Sequence, residues 1–263
     1  MSELKRGLYV QFGKRTLDIL LAATLLPLVG PIIMICAVAI YFDSRGSILY
    51  RQWRCGRNAR PFRIFKLRTM VSGADKQGPR LTASGDSRIT KVGRILRKTK
   101  LDELPQLLNV LRGDMSLVGP RPELPEFVSM YTPQERKIFE VKPGITGPAS
   151  LIYVDEERLL AGSENREEFY LKRVMRDKLM VDLAYCRKIC LLSDLTLLLR
   201  TATTLFNVFR RQNFEKSQYC CDARSKVQDQ GTLQPITEAP RSGLSLVEQT
   251  SEKGAQEPLV VKP

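Results

Sequence analysis

The chain has 263 residues, of which 43% are hydrophobic, and it carries a formal net charge of +14 with no histidine. This apolar fraction excludes wholesale disorder, and a chain of this length can bury a core in one or two domains. The lack of histidine excludes imidazole catalysis and the usual mixed Cys/His zinc sites, so acid–base or nucleophilic chemistry must use other groups.

The positive charge is concentrated in the part of the chain that is expected to fold. Residues 214–263 carry six Lys/Arg and seven Asp/Glu, a net charge of −1, which leaves +15 on residues 1–213. Such a surface attracts nucleic acid, anionic lipid headgroups or phosphorylated substrates, and composition alone does not choose among them.

A membrane-length apolar segment lies near the N-terminus. The 24 residues at 19–42 have no charge, which is enough to cross about 30 Å of hydrocarbon as a helix. A signal peptide is disfavoured because its apolar core is shorter, about 7–15 residues. Pro27 and Pro31 lie inside the run, where each removes a backbone donor and favours a kink or break.

The flanks of this segment leave two topologies open. Cations precede it at 5–15 and follow it at 45–63, whereas the positive-inside rule expects an excess on one side of a spanning helix. A spanning helix and a re-entrant helix remain alternatives. The prediction adopted is a cytoplasmic N-terminus at 1–16 and a re-entrant membrane helix at 17–43.

Residues 44–213 are predicted to form a small, membrane-associated catalytic domain of α+β class that is mainly helical. Residues 62–66 alternate as in a strand, and residues 72–90 read as a loop. Rigid turns are expected at 119–122 and 143–148, where proline fixes φ and glycine frees the backbone. Helices are expected at 88–97, 104–111, 133–141 and 166–185.

The C-terminal part of the chain divides into a helix and a tail. Residues 191–209 are apolar but contain Asp194 and Arg200, so an amphipathic helix on the bilayer surface is predicted, with a core helix as the alternative. Residues 214–263 have little periodicity and are predicted to be a disordered tail.

The cysteines predict a reducing compartment. No CxxC pair occurs, and Cys186 and Cys190 are expected to share one face of a helix. The six cysteines are Cys36, Cys55, Cys186, Cys190, Cys220 and Cys221.

An adjacent acid pair, Asp102-Glu103, follows a cluster of cations at 94–100. Taken alone, such a pair is commonly the solvated start of a helix. Two adjacent carboxylates resist ionisation unless cations compensate them. Lys66 and Arg68, which alternate along the predicted strand, are candidates for that compensation and for gripping phosphate, although a structural ion pair explains them nearly as well.

Six motifs occur in a characteristic order. They are KRTLD at 14–18, YRQ at 50–52, FKLRTM at 65–70, LDELPQLLNVL at 101–111, GDMSLVGPRP at 113–122 and KPGITG at 142–147. In this order and spacing they resemble the bacterial sugar transferases, the monotopic polyprenyl-phosphate phosphoglycosyl transferases. The resemblance covers residues 10–205.

This resemblance implies a reaction. Members transfer a sugar-1-phosphate from a UDP-sugar to undecaprenyl phosphate, release UMP and initiate the assembly of a glycan such as an exopolysaccharide, capsule, O-antigen or glycoprotein glycan. They use Mg²⁺ and a covalent ping-pong route on the cytoplasmic face of the bacterial inner membrane, in contact with its lipid.

The resemblance also implies residue roles. Asp102 matches the nucleophile, and Glu103 matches the residue that holds Mg²⁺ beside it, so both acids are the predicted metal site. Arg97 matches a phosphate-site residue. Arg121, flanked by Pro120 and Pro122, lies in the element linked to nucleotide binding.

Two features qualify the resemblance. The family commonly has Ser-Pro at the hairpin apex, but this chain has Leu26-Pro27, which puts the break angle in question. Residues 150–185 follow the family loosely and are expected to shape the choice of sugar.

Two other functions compete with the transferase. A non-enzymatic module whose basic face binds anionic lipid or nucleic acid would bind in a steeply salt-dependent way and would not depend on Asp102. No nucleic-acid-binding signature is recognised, so no nucleic-acid partner is expected. A degenerate transferase kept as a scaffold is disfavoured by the intact acid pair. The sugar, the glycan pathway and homodimer formation are left open.

Overall fold

The computed structural model describes residues 8–163 and 165–210. The predicted tail at 214–263, with Cys220 and Cys221, lies outside the described residues, as do residues 1–7 of the predicted N-terminal segment.

The described chain is mainly helical with two small sheets. The strands are β1 (Leu49–Cys55), β2 (Pro61–Leu67), β3 (Ser116–Val118) and β4 (Gly144–Thr146). The α-helices are α1 (Lys14–Asp43), α2 (Lys91–Thr99), α3 (Gln106–Arg112), α4 (Pro125–Val128), α5 (Pro148–Ile152), α6 (Glu156–Ala161), α7 (Arg166–Phe169), α8 (Met175–Arg187) and α9 (Leu191–Arg210). Single π-helical turns occur at Tyr9–Gly13 and Tyr170–Val174, and 3₁₀ turns at Arg57–Ala59, Ala74–Lys76, Leu101–Glu103 and Glu135–Glu140.

An antiparallel hairpin forms the first sheet. β2 confirms the strand predicted at 62–66, and it pairs with β1 in a register that places Trp53 opposite Arg63. Phe62 and Ile64 point into the core. β1 was not predicted, because its alternation of Arg, Gln and aromatic residues gives no apolar face; one of its sides borders a polar cleft instead.

A parallel pair, β3 and β4, forms the second sheet. The rigid turn predicted at 143–148 is wrong in part: residues 144–146 are a strand paired with 116–118, and α5 follows directly. Backbone pairing continues into the predicted turn at 119–122, since Gly144 N donates to Pro120 O at 2.8 Å. A Cβ on Gly144 would lie 2.1 Å from Gly119 N, so only glycine permits this approach.

The helical predictions were confirmed with shifts at their ends. The segments at 88–97 and 104–111 are α2 and α3, and 166–185 is α7, the π-helical turn and α8. The helix predicted at 133–141 is instead a 3₁₀ helix, Glu135–Glu140. The loop predicted at 72–90 contains only the 3₁₀ turn Ala74–Lys76.

One apolar core joins the sheets to α3, α4, α6 and α8. Its most buried members come from six elements and the residue before β3, so the core closes only when the chain as far as α8 is in place. They include Val110, Met115, Val118, Phe127, Leu160, Tyr170, Val174 and Met175.

The N-terminal end of α1 is bound to the domain by polar contacts. Arg15 donates to Val110 O at 2.6 Å and to Leu111 O at 3.0 Å, so it satisfies carbonyl groups at the C-terminal end of α3. The buried carboxylate of Asp18 accepts from Leu117 N at 2.9 Å on β3.

The C-terminal end of α1 contacts the same domain. Asp43 Oδ2 accepts from Val92 N at 3.1 Å at the start of α2. Arg68 donates to Ser44 Oγ at 3.0 Å and to Ile40 O at 3.5 Å. Both ends of this apolar helix are therefore held by one globular domain.

The helix is continuous through Pro27 and Pro31. The predicted break is therefore absent, whereas the kink that two prolines favour is compatible with a continuous helix. The segment Tyr9–Asp43 is long and apolar enough to cross a membrane, by length and composition.

Helix α9 buries polar residues on the side that faces the domain and exposes leucines on its other side. Asp194, Leu197 and Thr204 are buried against the domain, whereas Leu192 and Leu199 are 74% and 68% exposed. Thus α9 is not the fully buried core helix of the alternative reading. Its exposed leucines extend an apolar surface that α1 begins.

A buried carboxylate joins α9 to the N-terminal elements. Asp194 accepts from Tyr9 Oη at 2.7 Å, Tyr185 Oη at 2.6 Å and Lys14 Nζ at 2.5 Å. These residues come from the first π-helical turn, α8 and α1.

The four described cysteines are free: Cys36, Cys55 and Cys186 are buried and Cys190 is exposed. Cys186 and Cys190 do not share a helix face, because α8 ends at Arg187.

Candidate active site

The acid pair lies in a short turn that two helices hold from either side. α2 ends at Thr99, its C-cap residue Lys100 adopts the left-handed conformation (φ 58°), and the 3₁₀ turn Leu101–Glu103 follows at once. A lysine in this conformation is strained, and such strain is found at functional sites. Asn109 ties α3, which follows the turn, to β2. Its Oδ1 accepts from Phe65 N at 3.0 Å, and its Nδ2 donates to Arg63 O at 2.8 Å.

Two cations hold Glu103. Lys66 Nζ donates to Glu103 Oε1 at 2.8 Å, and Arg121 Nη2 donates to the same oxygen at 2.7 Å. Burial alone would raise the pKa of Glu103, but Arg121 and Lys66 hold the pKa well below its usual value. Glu103 is therefore an ionised, fixed carboxylate.

Asp102 has the opposite environment. The side chain is buried, and its Oδ1 has no hydrogen-bond partner among the described residues. Burial raises the pKa of Asp102 above its usual value, while Lys66 opposes the rise. A buried acceptor oxygen without a donor is costly, and Asp102 lines a cleft, so a cation or donor bound beside it would relieve that cost.

Both acids face a cleft of about 1290 Å³. Lys66, Arg97 and Arg121 give the cleft a basic lining. The helices that carry the exposed leucines give it a mainly apolar lining: Leu25 and Val29 of α1 and Leu198, Thr201, Thr204 and Leu205 of α9.

Arg97 lies in the cleft beside the acid pair. Its Nε donates to Thr69 Oγ1 at 2.9 Å, and its Nη1 donates to Glu157 Oε1 at 2.7 Å. α2 is held close enough to bring it there because Gly93 has no side chain: a Cβ would lie 2.0 Å from Thr69 O.

The other predicted binding residues are placed differently. Arg68 lines the cleft, but its Nη2 donates to Ser44 Oγ at the end of α1, and its Nε and Nη1 are buried without a partner among the described residues. Pro122 lines the cleft beside Arg121, whereas Pro120 lies behind it, at a small separate cavity. The fold thus gathers Asp102, Glu103, Lys66, Arg97 and Arg121 around one cleft, whereas Arg68 binds the end of α1 and Pro120 lies outside the cleft.

Several charged cleft residues were not predicted as site residues, among them Glu123, Glu157 and Lys178. Glu123 directly follows the motif at 113–122, and this adjacency was a usable signal. Lys178 occupies a buried position four residues after Val174, so a charge inside an otherwise apolar helical stripe could have identified it. Glu157 gave no such signal, because its partner Arg97 is 60 residues away.

The donor set of the acid pair can be tested against a metal ion. No group of three or more His, Cys, Asp or Glu side chains within residues 8–163 and 165–210 is arranged to hold a metal unaided. Mg²⁺, however, is commonly bound by one or two carboxylates together with substrate phosphates and water. The free Oδ1 of Asp102 beside the ionised Glu103 fits that pattern.

The buried carboxyl group of Asp182 on α8 is expected to make the stability of the fold depend on pH. It accepts from Ala149 N at 3.1 Å, and burial raises its pKa from 3.8 to about 7. Between these values the folded protein binds more protons than the unfolded chain, so stability should fall as the pH rises from 3.8 to about 7, by an amount on the order of 4 kcal/mol.

Chemical denaturation in mild detergent across this pH range measures the effect. Asp182→Asn keeps an acceptor for Ala149 N but cannot ionise, so its stability should lose the fall with pH that Asp182 contributes, while Asp102 and Glu103 keep their own contributions. Asp177→Asn, on the same helix, is the matched control and should keep the wild-type slope. An unchanged slope in Asp182→Asn would contradict the assignment.

Comparison with known proteins agrees with this geometry. The family model described as "Bacterial sugar transferase" matches residues 9–208. The chain is 41% identical over 199 residues to the UDP-glucose:undecaprenyl-phosphate glucose-1-phosphate transferase of Caulobacter vibrioides, which covers 74% of this chain and 70% of that protein.

Two further relatives are matched over less of their length. The UDP-N-acetylgalactosamine-undecaprenyl-phosphate N-acetylgalactosaminephosphotransferase of Aeromonas hydrophila is 42% identical over 54% of this chain and 34% of its own length. The UDP-glucose:undecaprenyl-phosphate glucose-1-phosphate transferase of Escherichia coli K12 is 41% identical over 61% of this chain and 36% of its own. The chain thus spans about a third of these two proteins.

Proposed function

The chain belongs to the bacterial sugar transferase family, and from this premise we propose that it is a phosphoglycosyl transferase that moves a sugar-1-phosphate from a UDP-sugar to undecaprenyl phosphate. The observation that carries the proposal is the pair of adjacent carboxylates with opposite environments, one clamped by cations and one with a free buried oxygen, in a cleft that has both a basic and an apolar lining.

The chemistry follows from these two environments. An Asp102 oxygen attacks the phosphorus that bears the sugar; the bond from that phosphorus to the bridging oxygen breaks, and UMP leaves with the electron pair. An aspartyl-phosphosugar remains on the protein. A phosphate oxygen of undecaprenyl phosphate then attacks the same phosphorus and releases the carboxylate, which divides one difficult displacement into two.

The surrounding residues bind and orient the donor. Arg97 and Lys66 present donors to phosphate oxygens, and a guanidinium fork matches such oxygens well. Arg121 holds Glu103 in place, and with Pro122 it shapes the adjoining wall for the nucleotide. Glu103 and Asp102 would hold Mg²⁺ together with the diphosphate; when bound, the ion supplies neutralisation of the charge on phosphate oxygens and on departing UMP.

The apolar lining of the cleft supports a polyprenyl acceptor. Leu25 and Val29 of α1 line the same cavity as Asp102, and the outer faces of α1 and α9 are rich in exposed aliphatic side chains. A lipid chain in the bilayer could therefore place its phosphate at the acid pair without leaving the membrane.

The contacts at both ends of α1 support the re-entrant topology. Arg15 and Asp18 at one end and Asp43 at the other bond to the same globular domain, so both ends belong on one side of the bilayer. We place that domain on the cytoplasmic face of the bacterial inner membrane, where α9 lies on the surface and the product starts a glycan.

A donor panel tests the proposed function. Purified protein, undecaprenyl phosphate, Mg²⁺ and a set of UDP-sugars should release UMP with at least one donor, and removal of the metal with EDTA should stop the reaction until Mg²⁺ is restored. Folded protein that releases no UMP from any donor would refute the proposal.

Replacement of Arg97 should weaken use of the donor. Arg97→Gln removes a charge-assisted contact to phosphate, so kcat/KM should fall roughly 10-fold to 100-fold. The ion pair with Glu157 is partly exposed, so stability should change by less than about 1 kcal/mol. Steady-state kinetics and thermal unfolding measure the two effects. Arg94→Gln, exposed on the same helix, is the control; an unchanged kcat/KM in Arg97→Gln would make Arg97 purely structural.

A further inference from the structure

A connected row of polar side chains forms one end of the cleft, next to Arg121. The row, here termed the polar wall, consists of Arg54, Glu123, Tyr170, Lys178 and Glu156, all of which line the cleft.

The polar wall is linked by hydrogen bonds from end to end. Arg54 Nη1 lies 3.5 Å from Glu123 Oε1, and Tyr170 Oη donates to Glu123 Oε2. Lys178 Nζ donates to Tyr170 Oη at 3.4 Å and to Glu156 Oε2 at 3.0 Å. Each cation is thus matched by a carboxylate, and the phenol bridges the two pairs.

The wall is built by the tertiary fold and adjoins the reacting end of the cleft. Its members come from β1, the segment after β3, α6, the second π-helical turn and α8. Arg54 also donates to Pro122 O at 3.2 Å, which ties the wall to the residue that follows Arg121. Arg121 in turn holds Glu103.

Stability does not explain the wall. The four charged side chains are only 10–23% exposed, and buried ion pairs can commonly be replaced by apolar residues at little cost or with a gain in stability. Fixed polar groups that converge on a cavity are instead typical of a site that orients a ligand.

The chemistry of the wall selects among the parts of a UDP-sugar. Two carboxylates would repel a phosphate. Uracil has one N–H donor, whereas a pyranose presents several hydroxyls that each donate and accept, which matches carboxylate acceptors alternating with cationic and phenolic groups. We propose that the polar wall binds the hydroxyls of the donor's sugar and determines which sugar is transferred; this rests on the proposed function.

Relative use of two epimeric donors tests the inference. UDP-glucose and UDP-galactose differ only in the configuration of one hydroxyl, so the ratio of their kcat/KM values reports contacts to the sugar. Glu156→Gln and Tyr170→Phe each change one member of the wall and nearly keep its shape. We expect either to change this ratio roughly 10-fold to 100-fold, as loss of a hydrogen bond to a charged partner would.

Inhibition by UDP and the midpoint of thermal unfolding are the accompanying readouts. Inhibition by UDP should stay near wild type, whereas the midpoint should fall in Glu156→Gln because Lys178 loses its carboxylate partner. Glu168→Gln, which breaks the exposed ion pair with Lys172 on the neighbouring helix, is the matched control and should leave the ratio unchanged. Equal losses for both donors would make the wall structural, and a parallel loss of UDP inhibition would assign it to the nucleoside; either outcome overturns the inference.

Direct binding separates this inference from the proposed function. Affinities of both UDP-sugars are measured by calorimetry in an Asp102→Asn background, where turnover does not interfere. Discrimination that depends on Glu156, without UMP release by the wild type, would support the wall and refute the transferase. UMP release by the wild type, together with discrimination that does not depend on Glu156, would support the transferase and refute the role of the polar wall.

Discussion

Asp102→Asn should abolish turnover. The amide is a poor nucleophile toward phosphorus, so the covalent route is closed, and the rate should fall about 10³-fold or more. The fold should not suffer, because Asp102 Oδ1 makes no hydrogen bond and burial already disfavours the charged form. Donor labelled in the sugar-bearing phosphate should attach to the wild type and not to this variant.

The neighbouring carboxylate Asp114 supplies the control. Asp114 lies just after α3, with its Oδ2 3.4 Å from Asn109 Nδ2, and it does not line the cleft. Asp114→Asn should retain activity and labelling. If Asp102→Asn kept most of the wild-type turnover, or if product formed without label ever appearing on the protein, the nucleophile would have to be another group.

Glu103→Gln should damage both stability and activity. Lys66 on β2 and Arg121 after β3 would lose the carboxylate between them and remain as two partly buried, unpaired cations. We expect this to lower the free energy of unfolding by an amount on the order of 3 kcal/mol. The lowered pKa of Glu103 means that its stabilisation is present above about pH 4.5 and is lost as the pH falls further. Wild type and variant should therefore converge in stability in acid.

A double variant separates the two effects. Glu103→Gln/Lys66→Met removes one unmatched cation, so it should recover part of the stability lost in Glu103→Gln but none of the activity. Glu126→Gln breaks an exposed ion pair with Arg80 on the same cleft and should cost less than about 1 kcal/mol. Recovery of activity in the double variant would show that Glu103 acts only by balancing charge.

The secondary structure was predictable in segments whose own pattern of apolar residues indicates a strand or a helix. The alternation at 62–66 and the helical periods at 104–111 and 166–185 gave β2, α3 and α8 because an apolar face is visible in each. β3 and β4 were missed because each has three residues and exists only through pairing across 25 intervening residues, made possible by the close approach of Gly119 and Gly144.

The site was predictable to a similar extent. Adjacency and the resemblance identified Asp102-Glu103, and Lys66 and Arg121 were among the predicted cations. That both cations share one oxygen of Glu103, while Asp102 is left without a donor, depends on distances between β2, the catalytic turn and the segment after β3. No local pattern in the sequence encodes those distances.

Arg15 connects the apolar helix α1 to α3, the helix that follows the acid pair. At the N-terminal end of α1 it donates to the last carbonyls of α3, a helix of about 10 Å whose other end lies close after the turn Leu101–Glu103. Under the proposed function, a tilt that hydrophobic mismatch imposes on α1 would be transmitted through α3 to Asp102. The rate of the proposed transfer would then depend on acyl-chain length in the host bilayer, even at a constant concentration of both substrates.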